Sequence, residues 1–364
     1  MHRTVLKLQL GKGKVTLAKR KITMTRKTPA QLVCFATIIT IGVLSSAHGA
    51  ELADKARAEG RVVLYSCPGR ENVEPVVREF ERLYAGVKVQ VTYGKGSQLQ
   101  EKIRSEGRAG RPTADLHSCG WNGLFQFGLE GHLEKYASPQ LSQFEPSALD
   151  KSGLTLPHSA HIYGLVVNTR WVSAEETPRS WADLADPKWK GKLAIQDPRP
   201  GGGGFSWFVQ TLTDANLGES YLRKMAQQKI FLGRTNDLVY SLLARGEYFV
   251  HIAGTEERAT AEAPKSAPVK FLKPRDGAFY TRVSFGLVKN APHPNAAKLY
   301  IDFALSEAGQ KAVADTGYLP LRKGVASSLG ADAMQGVRLA VLQTEEGIKR
   351  EPEFAKKLKE IFLP

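Results

Sequence analysis

Four consecutive glycines, Gly201 to Gly204, follow Asp197-Pro198-Arg199-Pro200 and lead into an apolar run that starts at Phe205. Glycine clears side chains from the approach to a helix N-terminus, where free N–H groups and partial positive charge attract anions. The segment therefore reads as an anion cradle in which Gly201, Gly202 and Gly203 offer backbone N–H groups and Arg199 adds charge. Two other strand-to-helix junctions share its form. Residues 66–69 carry Ser66 and Cys67, and residues 94–97 carry Ser97. Arg234 could complete a bidentate contact to a carboxylate or phosphate. Trp121 and Tyr280 flank junction loops and could stack on an organic ligand, although each would serve equally well as packing.

Catalytic patterns do not assemble. Gly204-Phe205-Ser206-Trp207-Phe208 lacks the second glycine of a nucleophile elbow. His158 and His161 stand three apart with no glutamate between them, so the zinc-protease pattern is missing. No glycine-rich loop ends in Gly-Lys-Ser or Gly-Lys-Thr. A secreted hydrolase is the rival class, and the sequence requires no cofactor.

The elements that must position these residues alternate between strand and helix. Arg61–Ser66 is an apolar run closed by Cys67-Pro68-Gly69, a strand and turn. Val73, Val76, Val77, Phe80 and Leu83 recur at helical spacing. Val87, Val89 and Val91 alternate with polar residues as a strand does. Ser97-Gln98-Leu99-Gln100 has the form of a capping box. Further strands are expected at 114–118, 162–168, 192–195, 248–252, 269–272 and 283–289, with helices between them. This alternation predicts an α/β fold with parallel sheet.

The N-terminus has a different character. Residues 1–50 hold nine Lys or Arg residues and no acid, followed by an apolar run from Leu32 to Ala47 and the small-residue end Ala47-His48-Gly49-Ala50. That order describes a cleaved secretory signal peptide over residues 1–49. Met24-Thr25-Arg26-Lys27 would make an ordinary start, so residues 1–23 read as an upstream extension. Without the leader's nine basic residues the formal net charge of +15 falls to +6. What remains has no basic block interleaved with aromatics, and no nucleic-acid partner is expected. The mature chain is long enough for two lobes, and Cys67 and Cys119 would occupy an oxidising compartment.

Several segments carry a family resemblance: Val167-Asn168-Thr169, Trp181-Ala182-Asp183-Leu184, Asp186-Pro187-Lys188-Trp189-Lys190-Gly191, Ala291-Pro292-His293-Pro294-Asn295-Ala296-Ala297-Lys298, Ser306-Glu307-Ala308-Gly309-Gln310 and Gly317-Tyr318-Leu319-Pro320-Leu321-Arg322. In order and spacing they resemble the ferric-iron-binding-like branch of periplasmic solute-binding proteins, extracellular solute-binding family 1, over nearly all of residues 55–325. The resemblance implies a type II periplasmic binding protein, two α/β lobes joined by a two-crossing hinge near 158–168 and 273–285. Lobe 1 is expected over 50–160 plus 280–364 and lobe 2 over 161–279. It implies a monomeric, non-enzymatic periplasmic component of an ABC importer that clamps a small ligand, an organic anion, and hands it to a membrane permease. Ferric iron is the alternative cargo. Family members that bind iron do so through adjacent tyrosines, where this chain has Glu256 and Glu257, both hard oxygen donors for any metal. The type II topology also makes the first and third strands neighbours, which would bring Cys67 and Cys119 together as a candidate disulfide.

Overall fold

The structure, a computed structural model, describes residues 49–199, 202–262, 268–327, 330 and 333–362. The expected leader and Gly201 lie outside the described residues. From Leu52 onward the chain forms one unit. No helix among the described residues is long and apolar enough to cross a membrane.

The chain opens with helical residues 52–59 (α1), β1 (Arg61–Ser66), α2 (Arg70–Leu83), β2 (Lys88–Tyr93), α3 (Gly96–Arg108), β3 (Leu116–Gly120) and α4 (Trp121–Phe127). Strands β4 (Leu133–Glu134), β5 (Leu156–Asn168) and β6 (Leu193–Gln196) follow. Next come α5 (Gly202–Leu212), α6 (Gly218–Ala226), β7 (Phe231–Gly233), α7 (Asn236–Arg245), β8 (Val250–Thr255) and α8 (Glu256–Glu262). The remainder is β9 (Val269–Leu272), β10 (Ala278–Val288), α9 (Pro294–Leu305), α10 (Glu307–Asp315), β11 (Leu319–Pro320), β12 (Val337–Leu339), α11 (Glu345–Lys349) and α12 (Glu351–Phe362).

The main sheet path is β2-β1-β3-β10-β5-β8-β6-β7. Strands β2, β1 and β3 are mutually parallel, as are β8, β6 and β7. Between the two triplets lie β10 and β5, each antiparallel to its neighbours. Three antiparallel steps separate β3 from β8, so the triplets run in opposite directions. Gly120, the last residue of β3, is level with Val283, which faces Ser159 of β5. Thr255, the last residue of β8, faces Tyr163 of β5. The carboxyl ends of both triplets therefore point at one short stretch of β5, residues 159–163.

Each triplet has its own core. Leu64, Phe80, Leu116, Phe285, Tyr300 and Phe303 pack on one face of the first. Trp181, Trp189, Leu193, Trp207, Phe208 and Ile252 fill the second. Trp181 and Trp189 are core anchors, each 3% exposed. Their neighbour Asp186 caps a short 3-10 turn by accepting from the Lys188 N–H at 2.9 Å.

Two expectations need correction. The C-terminal segment assigned to lobe 1 through residue 364 does not stay there: α12 lays Phe354, Leu358 and Ile361 into the second core beside Phe208. Burial of that apolar stripe seats the helix, and Lys357 beside it reaches Glu219 of α6 at 3.1 Å. The capping box at Ser97 does not form either, since α3 begins at Gly96 with Lys95 as its cap. Gly96 sits directly on Cys119 Sγ, which a Cβ there would approach to 3.0 Å, so the helix starts where no side chain fits. At the start of α9 the Glu59 carboxylate accepts from the Asn295 and Ala296 N–H groups at 3.2 and 2.7 Å.

Candidate functional site

The convergence on residues 159–163 of β5 defines where a ligand could meet both halves, since open α/β sheets bind at the carboxyl ends of their strands. Successive residues of β5 point to opposite sides. His161 and Tyr163 project to one side, and Ala160 and Ile162 to the other.

On the His161 side, elements from both halves meet. His161 Nδ1 lies 2.8 Å from Glu257 Oε1, at the first turn of α8. The Tyr318 ring meets the His161 ring edge-on, with centroids 4.6 Å apart. Tyr318 follows Gly317, whose backbone has φ +85° and whose would-be Cβ lies 3.7 Å from Glu257 Cβ. The same turn touches the first half, where Asn72 Nδ2 of α2 donates to the Thr316 carbonyl at 3.5 Å. Tyr163 stacks on Phe279 at 5.0 Å and underlies the start of α5, where a Cβ on Gly203 would come within 2.6 Å of Tyr163 Cε1. The N-termini of α2 and α5 thus flank a floor of His161, Tyr163, Tyr318 and Glu257.

Burial and nearby carboxylates tune this floor. Burial pushes the Tyr163 hydroxyl up to about 12, with Glu257 adding to the rise. The Tyr318 phenol is held well above its usual range, chiefly by burial and then by Glu257 and Glu71. Both tyrosines remain neutral hydrogen-bonding groups at neutral pH. Burial also raises the Glu256 carboxyl, and the adjacent Glu257 charge reinforces that rise.

The residues singled out in the sequence fall into three groups. Gly202, Gly203 and Glu257 belong to the floor or its rim. Gly202 has φ +76°, a left-handed conformation that favours glycine. Gly204 has a structural duty, because a Cβ there would lie 2.1 Å from the Gln196 carbonyl oxygen. Gly203 and Gly204 are thus accounted for by close packing of α5 on β5 and β6.

A second group lies at the rim with its polar groups already engaged. Ser66 is fully buried and its hydroxyl donates to the Pro68 carbonyl at 3.0 Å. Cys67 and Cys119 form a disulfide, with Cα atoms 4.9 Å apart, on the paired ends of β1 and β3. Arg199 is paired with Asp197 through its Nε and Nη2 atoms. Each partner shifts accordingly, the carboxyl downward and the guanidinium upward. Ser97 and Arg234 are exposed, at the second residue of α3 and just after β7.

The third group packs in the interior. Trp121 and Tyr280, for which ligand stacking and packing are equal readings of the sequence, are 2% and 5% exposed and serve as packing. Tyr280 pairs with Ile162, on the other side of the sheet from His161. It lines a separate cavity of ≈ 340 Å³ with Leu319, Met334 and Val337. Trp121 lies under the Arg282 guanidinium, 4.4 Å from its ring centroid. Arg282 is itself buried and bonded to the Ala148 and Gln343 carbonyls.

His161, Tyr163 and Tyr318 were missed as site residues. The histidine was weighed only as a zinc-protease ligand, and Tyr318 was noted only within a recurring motif. The sequence signal that could have found them is the polar interruption of an otherwise apolar strand around His161. A Ser–His contact does exist, Ser118 Oγ to His158 Nε2 at 3.0 Å, but both residues are buried. Burial holds the His158 imidazole down to about 3, so this contact is a packing device without access to substrate.

Comparison with known proteins agrees with this geometry. A family model described as bacterial extracellular solute-binding protein matches residues 76–335. Iron uptake protein A1 of Synechocystis sp. is 26% identical over 322 residues, 80% of this chain and 87% of that protein. A Salmonella typhimurium protein provisionally named as a 2-aminoethylphosphonate-binding periplasmic protein is 23% identical, covering 67% of this chain and 72% of its own length. Among solved structures, the periplasmic binding protein AfuA from Actinobacillus pleuropneumoniae, with exogenous fructose-6-phosphate bound, aligns with a TM-score of 0.69 and 25% identity. That alignment covers 84% of this chain and 99% of AfuA. The fold is that of type II periplasmic binding proteins.

Proposed function

The chain belongs to the bacterial extracellular solute-binding protein family, and from that membership we propose that its cargo is a small organic phosphate or phosphonate. A solute-binding component of an ABC importer binds and delivers its ligand without transforming it. The observation that carries the anionic reading is the placement of the α2 and α5 N-termini on either side of residues 159–163 of β5. Free N–H groups and helix dipoles there favour negative charge, by about 0.3–1 kcal/mol each at exposed sites. Gly202 and Gly203 stand in the first turn of α5, while Tyr163 and Tyr318 supply neutral phenols for the remaining oxygens. A fructose-6-phosphate complex and a phosphonate-named relative support the same ligand chemistry.

We further infer a leader cleaved near Ala50, a periplasmic monomer with no nucleic-acid partner, and delivery to a membrane permease. The two lobes divide at β5 and β10 and close over the ligand.

Ferric iron is the second reading, favoured by the meeting of Glu257, His161 and Tyr318 and by the iron-uptake relative. A thermal-shift screen of sugar phosphates, phosphonates, carboxylates, neutral sugars, polyamines and ferric citrate separates the two. A ligand at a hundredfold its dissociation constant should stabilise the fold by about 2.7 kcal/mol. Stabilisation by phosphorylated compounds supports the proposal. Stabilisation by ferric citrate alone, with a visible phenolate-to-iron absorption band, would replace it with the iron reading, and neutral sugars alone would remove both.

A further inference from the structure

Beneath the Cys67–Cys119 disulfide lies a buried imidazole that the binding site does not use. His117 is two residues before Cys119 on β3, so both side chains share one face of the strand. Across the ladder, Tyr65 pairs with His117, and Cys67 follows on the same face of β1. One ligand atom from each of Cys67, His117 and Cys119 lies within 4.8 Å of the other two.

The state of the imidazole is fixed by its surroundings. His117 Nδ1 is 3.0 Å from the Tyr65 carbonyl oxygen, which can only accept, so Nδ1 carries the proton. Nε2 then holds a bare lone pair. That atom is buried and finds no hydrogen-bond partner, although His117 is completely inaccessible to solvent. Leaving a buried acceptor unsatisfied is costly, and burial disfavours the charged ring. A neutral imidazole whose other nitrogen is anchored to a carbonyl is the arrangement that metal-bound histidines adopt.

We propose that Cys67, Cys119 and His117 form a thiol-gated zinc site. In the oxidised protein the two sulphurs are bonded to each other and offer no thiolate. An external dithiol opens the site by exchange: the Cys67–Cys119 bond breaks, two electrons and two protons pass to the cysteines, and the dithiol closes into its own disulfide. Zinc then displaces both thiol protons to water, while Nε2 contributes its lone pair with no proton change. Two thiolates and one imidazole leave a fourth tetrahedral position open. Both cysteines are half-buried at the rim, within reach of a reductant, and the Gly96 turn of α3 packs against both sulphurs, where a Cβ would come within 3.0 and 3.4 Å of them.

The test uses the whole mature chain, reduced with a phosphine that is then removed under anaerobic conditions. Zinc is titrated in competition with a chromophoric chelator, and Co²⁺ serves as the spectroscopic substitute. One equivalent of tightly bound zinc and a thiolate-to-cobalt charge-transfer band are expected in the reduced protein, and neither in the oxidised one. His117→Gln should weaken zinc by about tenfold or more, since even outer-shell changes cost that much, while keeping the thiolate band. Comparison of oxidised and reduced wild-type protein needs no substitution, so the result does not depend on whether a variant folds. Equal zinc uptake in the two redox states, or a folded His117→Gln protein that binds as tightly as wild type, would overturn the site.

Discussion

At the scale of single residues, this protein keeps several histidines where water cannot reach them, and that has a consequence for acid stability. His158 and His251 are held down to about 3, both chiefly by burial. In the unfolded chain each returns to about 6.5. Between those values the unfolded state binds more protons than the folded one, so stability is complete above about pH 6.5 and is lost as pH falls toward 3. Each group contributes a slope of about 1.4 kcal/mol per pH unit in that window. His251 gives the cleaner test. Both of its ring nitrogens lack partners, and it meets Tyr240 edge-on at 4.9 Å. His251→Phe removes the titration and two unsatisfied polar atoms while keeping an aromatic ring. Urea midpoints at pH 7, 5.5 and 4.5 should show equal or greater stability at pH 4.5 than wild type and a shallower acid slope. An unchanged slope would mean that His251 does not couple folding to protons.

At the scale of elements, α5 is seated by the absence of side chains. Its glycines read in the sequence as an open approach to a ligand. The contacts argue otherwise. A Cβ at Gly203 would already stand 2.6 Å from Tyr163 Cε1, closer than real contacts allow. Gly203→Val should therefore cost about 1–3 kcal/mol through overpacking. If the clash with the ring is the cause, Tyr163→Ala in the same chain should recover part of that loss, a coupling that a double-mutant cycle measures. Additive losses in denaturant titration would show that the strain arises elsewhere. The same elements show how far the sequence could be read. The strand–helix alternation and the apolar stripe of α2 were legible because each is a local pattern, whereas the pairing of β1 with β3 followed from the family resemblance and from no local signal. The two central strands were read too short, as 162–168 and 283–289, where the structure has Leu156–Asn168 and Ala278–Val288. Pro157, His158, Ser159, His161, Thr281, Arg282 and Ser284 break the apolar signal there. Those polar residues are tolerated because partners from distant elements satisfy or enclose them, and a one-dimensional pattern does not contain those partners. His161 and Tyr318 meet only because β11 pairs with the middle of β5.

At the scale of the whole molecule, the two sides of the central strands differ in what binds them. On the His161 side, the halves meet through the hydrogen-bonded pair His161–Glu257. On the opposite side, Arg282 of β10 acts as a hub. Its Nη1 donates to the Ala148 and Leu149 carbonyls at 3.0 and 3.3 Å, its Nη2 donates to the Gln343 carbonyl, and its own N–H donates to Gln343 Oε1 at 2.8 Å. Gln343 in turn reaches Asn122 of α4. Nearby, the Val341 N–H donates to Gln210 Oε1 of α5 at 3.2 Å. Residues 341–343 therefore strap the first half to the second across this side. If the halves close over a ligand as proposed, this strap is where the pivot is expected, with the aperture over His161. The guanidinium has no carboxylate in contact, and burial brings its pKa down to about 10. The charge is thus retained at neutral pH for the carbonyls it organises. Removing it leaves those carbonyls without a donor. Arg282→Ala should cost about 3–5 kcal/mol, the range for breaking a buried charged network. Arg282→Lys should recover only part of this, because an ammonium cannot span carbonyls on two separate segments in one plane. Small-angle scattering adds the readout that a merely local role would leave untouched. Ligand should contract the wild-type protein, whereas Arg282→Lys, if folded, should be more expanded without ligand and contract further on binding. Identical scattering curves for the two ligand-free proteins would place the pivot elsewhere than at Arg282.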